Sequence, residues 1–224
     1  MISVEVRSDP EEVADRAVEL VAAAVRGAVD AGDRFTWAIS GGATPMPMFR
    51  TMSRLDLPWR SIETWQVDER VVPFGDPQRN RTMQSDTLPP ELLGSVRWMP
   101  VEDPDMDAAA LRYGERLPEG FDLVQLGLGA DGHTASLLPG DPVLDVHDRD
   151  VALTRPRRGL RRMTLTYPGL ARGRRAIWVV TGAEKADALA KLLAGDLSIP
   201  AARVSVQDQV VVADQAAAAS AGRP

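Results

Sequence analysis

Short apolar segments, several of which end in glycine-rich or charged turns, alternate along the chain with longer segments in which apolar residues recur at helical spacing. The short segments predict strands at 1–5, 34–39, 62–67, 96–99, 121–128, 151–154, 163–166, 176–181 and 210–213. The longer segments predict helices at 8–32, 46–52, 79–88, 106–117 and 184–193, and a last, alanine-rich helix at 216–219 that frays into 222–224. Ser8 and Glu11 stand at capping-box spacing around Pro10, so we predict that the first helix begins at Ser8.

This order of elements predicts an α/β fold built on a mostly parallel sheet. Parallel strands need long crossover connections, and the helices that make these connections cover both faces of the sheet. The length of 224 residues is enough for one large core. We therefore expect one α/β domain over residues 1–224, with helices on both faces of the sheet.

The composition narrows the class of protein. No segment approaches the roughly 18 consecutive apolar residues of a membrane helix, and the first residues lack the pattern of a signal peptide. We therefore expect a soluble, cytoplasmic protein with no membrane partner. Because the chain has no cysteine and two histidines, His133 and His147, we expect no metal site and no cofactor.

The charge of the chain bears on its partners. A net charge of -6 argues against a general nucleic-acid surface, which depends on Lys and Arg to neutralise phosphates. Nearly all positive charge is arginine, since Lys185 and Lys191 are the only lysines. We interpret the arginines clustered between residues 155 and 175 as a solvated or ion-paired surface, of which one or two guanidiniums could face a ligand. An anionic ligand must therefore meet a local basic pocket.

Two turns after predicted strands offer binding chemistry at the edge where open α/β sheets hold their ligands. Residues 40–44 present closely spaced amide N–H groups and two hydroxyls, which suit a phosphate but also occur in an ordinary glycine-containing turn. Asp68, Glu69 and Arg70 directly follow an apolar strand, where adjacent side chains point in opposite directions and only some can face a cleft. A surface charge cluster is the alternative interpretation.

A third turn, residues 127–136, carries His133 among glycines and beside Asp131. Glycine permits positive φ and a close approach of a ligand to the backbone. An imidazole, whose ordinary pKa lies near neutrality, accepts a proton from water at cell pH, which predicts that His133 is a general base. A structural histidine bonded to the backbone is the alternative. His147 lies in a predicted loop among acids, and we interpret it as solvated.

These motifs resemble those of the 6-phosphogluconolactonase family. The resemblance covers essentially the whole chain and is most specific in the histidine block; the matching segments are 40–45, 68–70 with 72–73, 127–140, 162–166, 182–185, 199–202 and Asp214. It implies a metal-free hydrolase that opens 6-phosphoglucono-1,5-lactone to 6-phosphogluconate, the second step of the oxidative pentose phosphate pathway. It also implies a Rossmann-like fold similar to that of the glucosamine-6-phosphate deaminases. The sequence leaves monomer and dimer open.

Those deaminases supply the strongest competing interpretation. They follow their histidine with Phe-Asn-Glu-Pro and usually carry Asp-Glu-Tyr in the second turn. Here residues 134–139 read Thr-Ala-Ser-Leu-Leu-Pro, and Arg70 stands in place of the tyrosine, so the lactonase is favoured. A non-catalytic sugar-phosphate-binding protein is the other alternative, and the presence of both His133 and Arg70 argues against it.

Chemistry and resemblance together assign roles to the catalytic residues. We expect His133 to take a proton from water, and Arg70 to stabilise developing negative charge or to orient the substrate. Asp131 is expected to shape the histidine turn. These three are the predicted catalytic residues.

The remaining predicted residues bind the substrate. We expect the 6-phosphate on the amides of Gly41 and Gly42, with Thr44 and a cation that is either Lys185 or Arg79. The family most often carries Ser-Asn where this chain has Arg79-Asn80-Arg81, so Asn80 is carried over and the arginines depart from the pattern. Further predicted substrate-binding residues are Ser40, Asp68 and Gly132.

Overall fold

The computed structural model describes residues 2–157 and 159–220. Within them the strands are β1 (Ile2–Arg7), β2 (Phe35–Ile39), β3 (Ile62–Gln66), β4 (Asp68–Arg70), β5 (Val96–Arg97), β6 (Leu123–Gly127), β7 (Val151–Leu153), β8 (Arg162–Leu165), β9 (Arg175–Val180) and β10 (Asp208–Asp214). The helices are α1 (Pro10–Asp30), α2 (Met46–Met52), α3 (Asn80–Ser85), α4 (Pro90–Leu93), α5 (Met106–Glu115), α6 (Tyr167–Ala171) and α7 (Ala186–Leu193).

Seven strands form one parallel sheet in the order β1-β10-β9-β6-β2-β3-β5. Successive side chains of a strand point to opposite faces. In β9, Trp178 packs into one apolar cluster, whereas Ile177 and Val179 pack into the other. Helices α1 and α2 contribute to the cluster of Ile177, and α5 and α7 to the cluster of Trp178. The predicted α/β fold, with a mostly parallel sheet covered on both faces, is confirmed.

The N-cap of helix α1 lies one residue after the predicted one, Ser8. Asp9 Oδ1 accepts hydrogen bonds from the amides of Glu11 and Glu12, both at 2.9 Å. Glu12 Oε2 in turn accepts from the amide of Ser8 at 3.2 Å. Because the Asp9 carboxylate satisfies two N–H groups that the helix itself cannot pair, Asp9 is the N-cap, and the prediction of Ser8 was wrong.

Three short strands form a separate antiparallel sheet in the order β4-β8-β7. The strands predicted at 151–154 and 163–166 therefore exist but lie outside the parallel sheet. Their connection is shorter than the dozen or more residues that a parallel crossover requires, so they pair as a hairpin. Residues 68–70, predicted as a turn, are strand β4 at the edge of this small sheet.

The helices predicted at 79–88 and at 216–219 differ from the elements that the structure has there. The helix predicted at 79–88 is α3, which ends at Ser85, before the prolines at 89 and 90; a residue that precedes proline is disfavoured in helical conformation. The alanine-rich end forms the 3₁₀ helix Ala217–Ser220. The fraying predicted for 222–224 lies outside the described residues.

The arginine cluster is largely ion-paired. Arg172 lies 2.7 Å from Asp150, and the other pairs are Arg157–Asp131, Arg161–Asp107, Arg174–Asp122 and Arg175–Asp208. Arg158 lies outside the described residues. Within residues 2–157 and 159–220, no helix combines the length and the apolar composition that crossing a membrane requires.

Candidate active site

A cavity of about 330 Å³ opens where the neighbouring strands β9, β6, β2 and β3 end at the carboxyl edge of the parallel sheet. This is the edge at which α/β sheets bind ligands. The three turns singled out by the sequence meet here, together with the turn after β9. The residues that line the cavity are 40–45, Asp68, Arg70, Asn80, 127–129, His133, Ala135, Arg162, Glu184 and Lys185.

The turn of residues 40–44 depends on glycine at two positions. Gly42 adopts a φ of +97°, which other residues adopt only with strain. A Cβ atom on Gly41 would overlap the side-chain amide of Asn80. Within the described part of the chain, the amide N–H groups of 41–44 donate to no protein acceptor. They are therefore available to an anion in the cavity.

The two hydroxyls of this turn differ in their contacts. Ser40 is buried, its Oγ donates to the carbonyl oxygen of Gln125 at 3.0 Å, and its amide donates to Gln125 Oε1 at 3.0 Å. Ser40 thus attaches the turn to strand β6. Thr44 lines the cavity, and its hydroxyl has no hydrogen-bond partner among residues 2–157 and 159–220.

Strand β4 divides its three charges between two sides. Asp68 and Arg70 line the cavity, whereas Glu69 is fully buried on the other side. This is the alternation expected of a strand. Arg70 Nη1 donates to the carbonyl oxygen of Gln78 at 2.6 Å and to Asn80 Oδ1 at 3.2 Å, so the guanidinium is held in place from one end.

Both oxygens of Asp68 are engaged. Oδ2 accepts from Ser136 Oγ at 2.6 Å, and Oδ1 accepts from Asn80 Nδ2 at 3.0 Å. Burial raises the pKa of Asp68 above its ordinary value, and the hydrogen bond from Ser136 and the charges of Arg70 and Arg162 offset only part of this effect. Asp68 therefore joins strand β4 to the histidine turn and places a carboxylate in the cavity wall.

Arg79, one of the two cations predicted for the phosphate, is not among the residues that line the cavity. Its side chain is fully buried, with Nε 3.3 Å from Glu69 Oε2 and Nη1 2.9 Å from Glu102 Oε1. A buried guanidinium requires carboxylate partners, and the buried carboxylate of Glu69 is one of them. The expectation for Arg79 is therefore corrected, and Lys185 is the cation of the two that faces the cavity.

His133 and Asp131 form a hydrogen-bonded pair at the cavity. Asp131 Oδ1 contacts His133 Nδ1 and accepts from the His133 amide at 3.2 Å. Because an ionised carboxylate only accepts hydrogen bonds, this contact assigns the proton to Nδ1 and leaves the lone pair on Nε2. Burial by itself raises the pKa of Asp131, but the hydrogen bond and charge of His133 and the charge of Arg157 bring it below its ordinary value.

The histidine turn requires unusual backbone conformations. A Cβ atom on Gly129 would overlap the ring of His133, so glycine lets the ring lie against the backbone. Ala135, which lines the cavity, has a φ of +50°, and such strain in a residue other than glycine is concentrated at functional sites. Gly132, predicted to bind the substrate, instead has a φ of +79°, packs against Ile199 and does not line the cavity.

Lys185 reaches the cavity from the 3₁₀ helix Ala183–Lys185, which follows β9 and precedes α7. Its side chain is 19% exposed, and Nζ lies 3.8 Å from Glu184 Oε1. The amide of Gly182 donates to both carboxylate oxygens of Asp214, at 3.2 and 3.0 Å, which fixes the start of this turn. Lys185 therefore presents to the cavity an ammonium group that is only loosely paired with Glu184.

Two charged residues that line the cavity were not predicted to bind the substrate. Arg162 lies in β8 directly opposite Arg70 in β4. In the sequence it belongs to the arginine cluster and to the matching segment 162–166, but neither gave it a role in the site, because the pairing of β4 with β8 joins segments far apart in the chain. Glu184 adds a carboxylate beside Lys185; it lies in the matching segment 182–185, but its residue type alone gave it no role.

Comparison with known proteins reveals close similarity in sequence and structure. A 6-phosphogluconolactonase of Nostoc sp. is 32% identical over 228 residues, which cover 93% of each chain. A 6-phosphogluconolactonase of Synechocystis sp. is 34% identical, with 85% of each chain covered. The 6-phosphogluconolactonase structure from Thermotoga maritima has a TM-score of 0.85 at 26% identity, covering 96% of this chain and 99% of that one.

The fold is also shared with a deaminase. A monomeric glucosamine-6-phosphate deaminase has a TM-score of 0.86 at 19% identity, covering 97% of this chain and 99% of that one, a likeness that shows the fold alone. The family described as glucosamine-6-phosphate isomerases/6-phosphogluconolactonase matches residues 8–213, a range that contains every cavity-lining turn. The chain belongs to the glucosamine-6-phosphate isomerase/6-phosphogluconolactonase family.

Proposed function

We propose that this protein hydrolyses 6-phosphoglucono-1,5-lactone to 6-phosphogluconate. The observation that carries the proposal is that His133, paired with Asp131, lines a cavity that also holds Arg70, Arg162 and Lys185. An oriented base beside several cations suits the hydrolysis of an anionic ester. The relatives named 6-phosphogluconolactonase, at 32% and 34% identity over most of both chains, support the same activity.

The first step forms the bond between water and the lactone carbonyl. His133 Nε2 accepts a proton from water as the water oxygen attacks C1, and the carbonyl electrons move to the oxygen. Asp131 holds the Nδ1 proton, which orients the ring and stabilises the imidazolium that forms. Arg70, anchored by Gln78 and Asn80, stabilises the oxyanion.

The second step opens the ring. The oxyanion collapses to a carboxyl group, the bond between C1 and the ring oxygen breaks, and the His133 imidazolium returns its proton to that ring oxygen. The new carboxyl group then loses a proton to solvent. His133 thus carries the proton from the attacking water to the ring oxygen, and among residues 2–157 and 159–220 no cluster of His, Asp and Glu side chains is arranged to hold a metal ion.

The phosphate subsite lies at residues 41–44 and Lys185. The unpaired amides of 41–44 and the Thr44 hydroxyl supply donors, and Lys185 supplies a positive charge at the same cavity. The partner is thus a small sugar phosphate. We place the reaction in the cytoplasm, where a chain free of cysteine needs no oxidising compartment.

Deamination of glucosamine 6-phosphate is the competing activity within the family. Residues 134–139 lack the glutamate that follows the histidine in deaminases, and Arg70 replaces their tyrosine. Arg70 lies in the cavity wall, so the substitution changes the site itself. These differences favour the lactone.

The decay of the lactone tests the proposal. 6-Phosphogluconolactone is generated in place by oxidation of glucose 6-phosphate, and its loss at neutral pH is compared with spontaneous hydrolysis, with and without a chelator. We expect rapid, chelator-insensitive acceleration. If the protein does not accelerate the decay but releases ammonia from glucosamine 6-phosphate, the lactonase assignment is wrong.

Replacing Lys185 by glutamine is expected to raise KM about tenfold or more, because a charge-assisted contact to phosphate is lost, while kcat changes less. Lys191→Gln is a matched control, because it removes the only other lysine, from the last turn of α7 outside the cavity. Steady-state kinetics of both variants provide the measurement. Equal effects of the two substitutions would place the phosphate elsewhere.

A further inference from the structure

Arg162 is a cavity-lining cation to which the mechanism above gives no role. It lies directly opposite Arg70 in the antiparallel pairing of β4 with β8, and both side chains line the cavity. Like charges directly opposite each other destabilise a sheet. Among residues 2–157 and 159–220, the Arg162 guanidinium has no hydrogen bond and no ion pair. The Arg162 guanidinium therefore does not stabilise the pairing of the two strands, and it is available to a ligand.

The nearby carboxylate does not neutralise this arginine pair. Asp68 attracts both arginines, but its two oxygens already accept hydrogen bonds from Ser136 and Asn80. Burial lowers the pKa of Arg162, and the charge of Arg70 lowers it further against the attraction of Asp68. The ligand-free site thus holds two guanidiniums that an anion between them would stabilise.

The arginine pair lies beside the catalytic histidine. The histidine turn is attached to β8, because the amide of Ser136 donates to Thr164 Oγ1 at 3.1 Å. The charge of Arg162 also interacts with Asp131, the partner of His133. A lactone carbonyl within reach of His133 is therefore next to this pair.

We propose that Arg70 and Arg162 form a second anion subsite, which holds the C1 oxyanion of the intermediate and then the C1 carboxylate of the product. It is distinct from the phosphate subsite at 41–44 and Lys185, and it rests on the proposed function. Two planar guanidinium groups suit the two oxygens of a carboxylate. Because the charge at C1 develops only in the reaction, this subsite stabilises the transition state more than the substrate.

Two ligands that differ only at C1 test the subsite. 6-Phosphogluconate carries a carboxylate there, and glucitol 6-phosphate carries a hydroxymethyl group. By calorimetry, we expect Arg162→Gln to lower the affinity for 6-phosphogluconate about tenfold or more and to leave the affinity for glucitol 6-phosphate nearly unchanged. Lys185→Gln is expected to lower the affinity for both ligands. In kinetics, Arg162→Gln is expected to lower kcat by a larger factor than it raises KM.

Arg161→Gln is the matched control for the loss of charge. Arg161 is adjacent in sequence but lies outside the cavity lining, where it donates to the Thr154 carbonyl oxygen at 3.3 Å and faces Asp107. It is expected to change neither affinity. The ligand-free Tm of Arg162→Gln is expected at or above that of the natural protein, because a like-charge contact is removed. A fall of several degrees identifies a structural role and overturns the proposal.

The affinities for the two ligands distinguish failure of the subsite proposal from failure of the proposed function. If Arg162→Gln weakens both ligands equally, or weakens neither, the arginine pair is not a carboxylate subsite, although the lactonase activity stands. If the natural protein binds neither ligand, the proposed function itself fails and the subsite fails with it.

Discussion

His133→Ala is expected to lower kcat for lactone opening by about 10²–10⁴-fold, the usual contribution of a positioned general base. The variant retains the cations of the cavity, so it is expected to bind 6-phosphogluconate with little change. The side chain is 31% exposed, so its removal is expected to leave the fold intact. Single-turnover lactone decay provides the rate, and calorimetry with 6-phosphogluconate provides the affinity.

His147→Ala is the internal control, because it removes the only other histidine of the chain. It is expected to leave kcat unchanged. Activity is also expected to fall toward acid pH, since a protonated imidazole cannot accept a proton from water. The lowered pKa of Asp131 keeps that carboxylate ionised, and able to hold the Nδ1 proton of His133, as the pH falls. Full activity of His133→Ala would exclude His133 as the base.

Glu69→Ala is expected to destabilise the protein by about 3–5 kcal/mol, because it leaves the buried charge of Arg79 without its buried partner. The same carboxylate accepts the amides of Arg70, Asn80 and Arg81 at 2.7, 2.8 and 2.8 Å. Unfolding in urea is expected to show a lower midpoint, and Tm is expected to fall by about 10 °C.

Glu102→Ala removes the other carboxylate that faces Arg79. Its side chain is 45% exposed, so the expected loss is below about 1 kcal/mol. The double variant Glu69→Gln, Arg79→Met is expected to recover part of the stability, because it removes the unpaired charge as well. Equal losses for Glu69→Ala and Glu102→Ala would contradict the assignment of a buried pair.

Local patterns predicted the parts of the site that depend on single turns. Strand alternation predicted that only some of the charges at 68–70 face the cleft, and Asp68 and Arg70 do. The glycines at 41 and 42 indicated a turn with accessible amides, and the structure has it. His133 and Asp131 lie two residues apart, so their contact needed no long-range information.

Contacts between segments far apart in the chain decided which arginines face the cavity. Arg79 stands next to Asn80, which lines the cavity, yet Arg79 is drawn into a buried pair with Glu69. Arg162 comes from a largely ion-paired cluster and faces Arg70, because strand β8 pairs with strand β4, whose residues lie far away in the chain. Neither outcome follows from composition or spacing.

The sequence by itself determined the α/β fold, the three segments that meet at the cavity and the histidine that we propose as the base, since hydrophobic period and glycine positions act over a few residues. The tertiary structure alone decided which cations face the cavity. That choice depends on burial and on strand register between segments far apart in the chain, and burial determines whether a guanidinium pairs with a carboxylate of the protein or remains available to an anionic ligand.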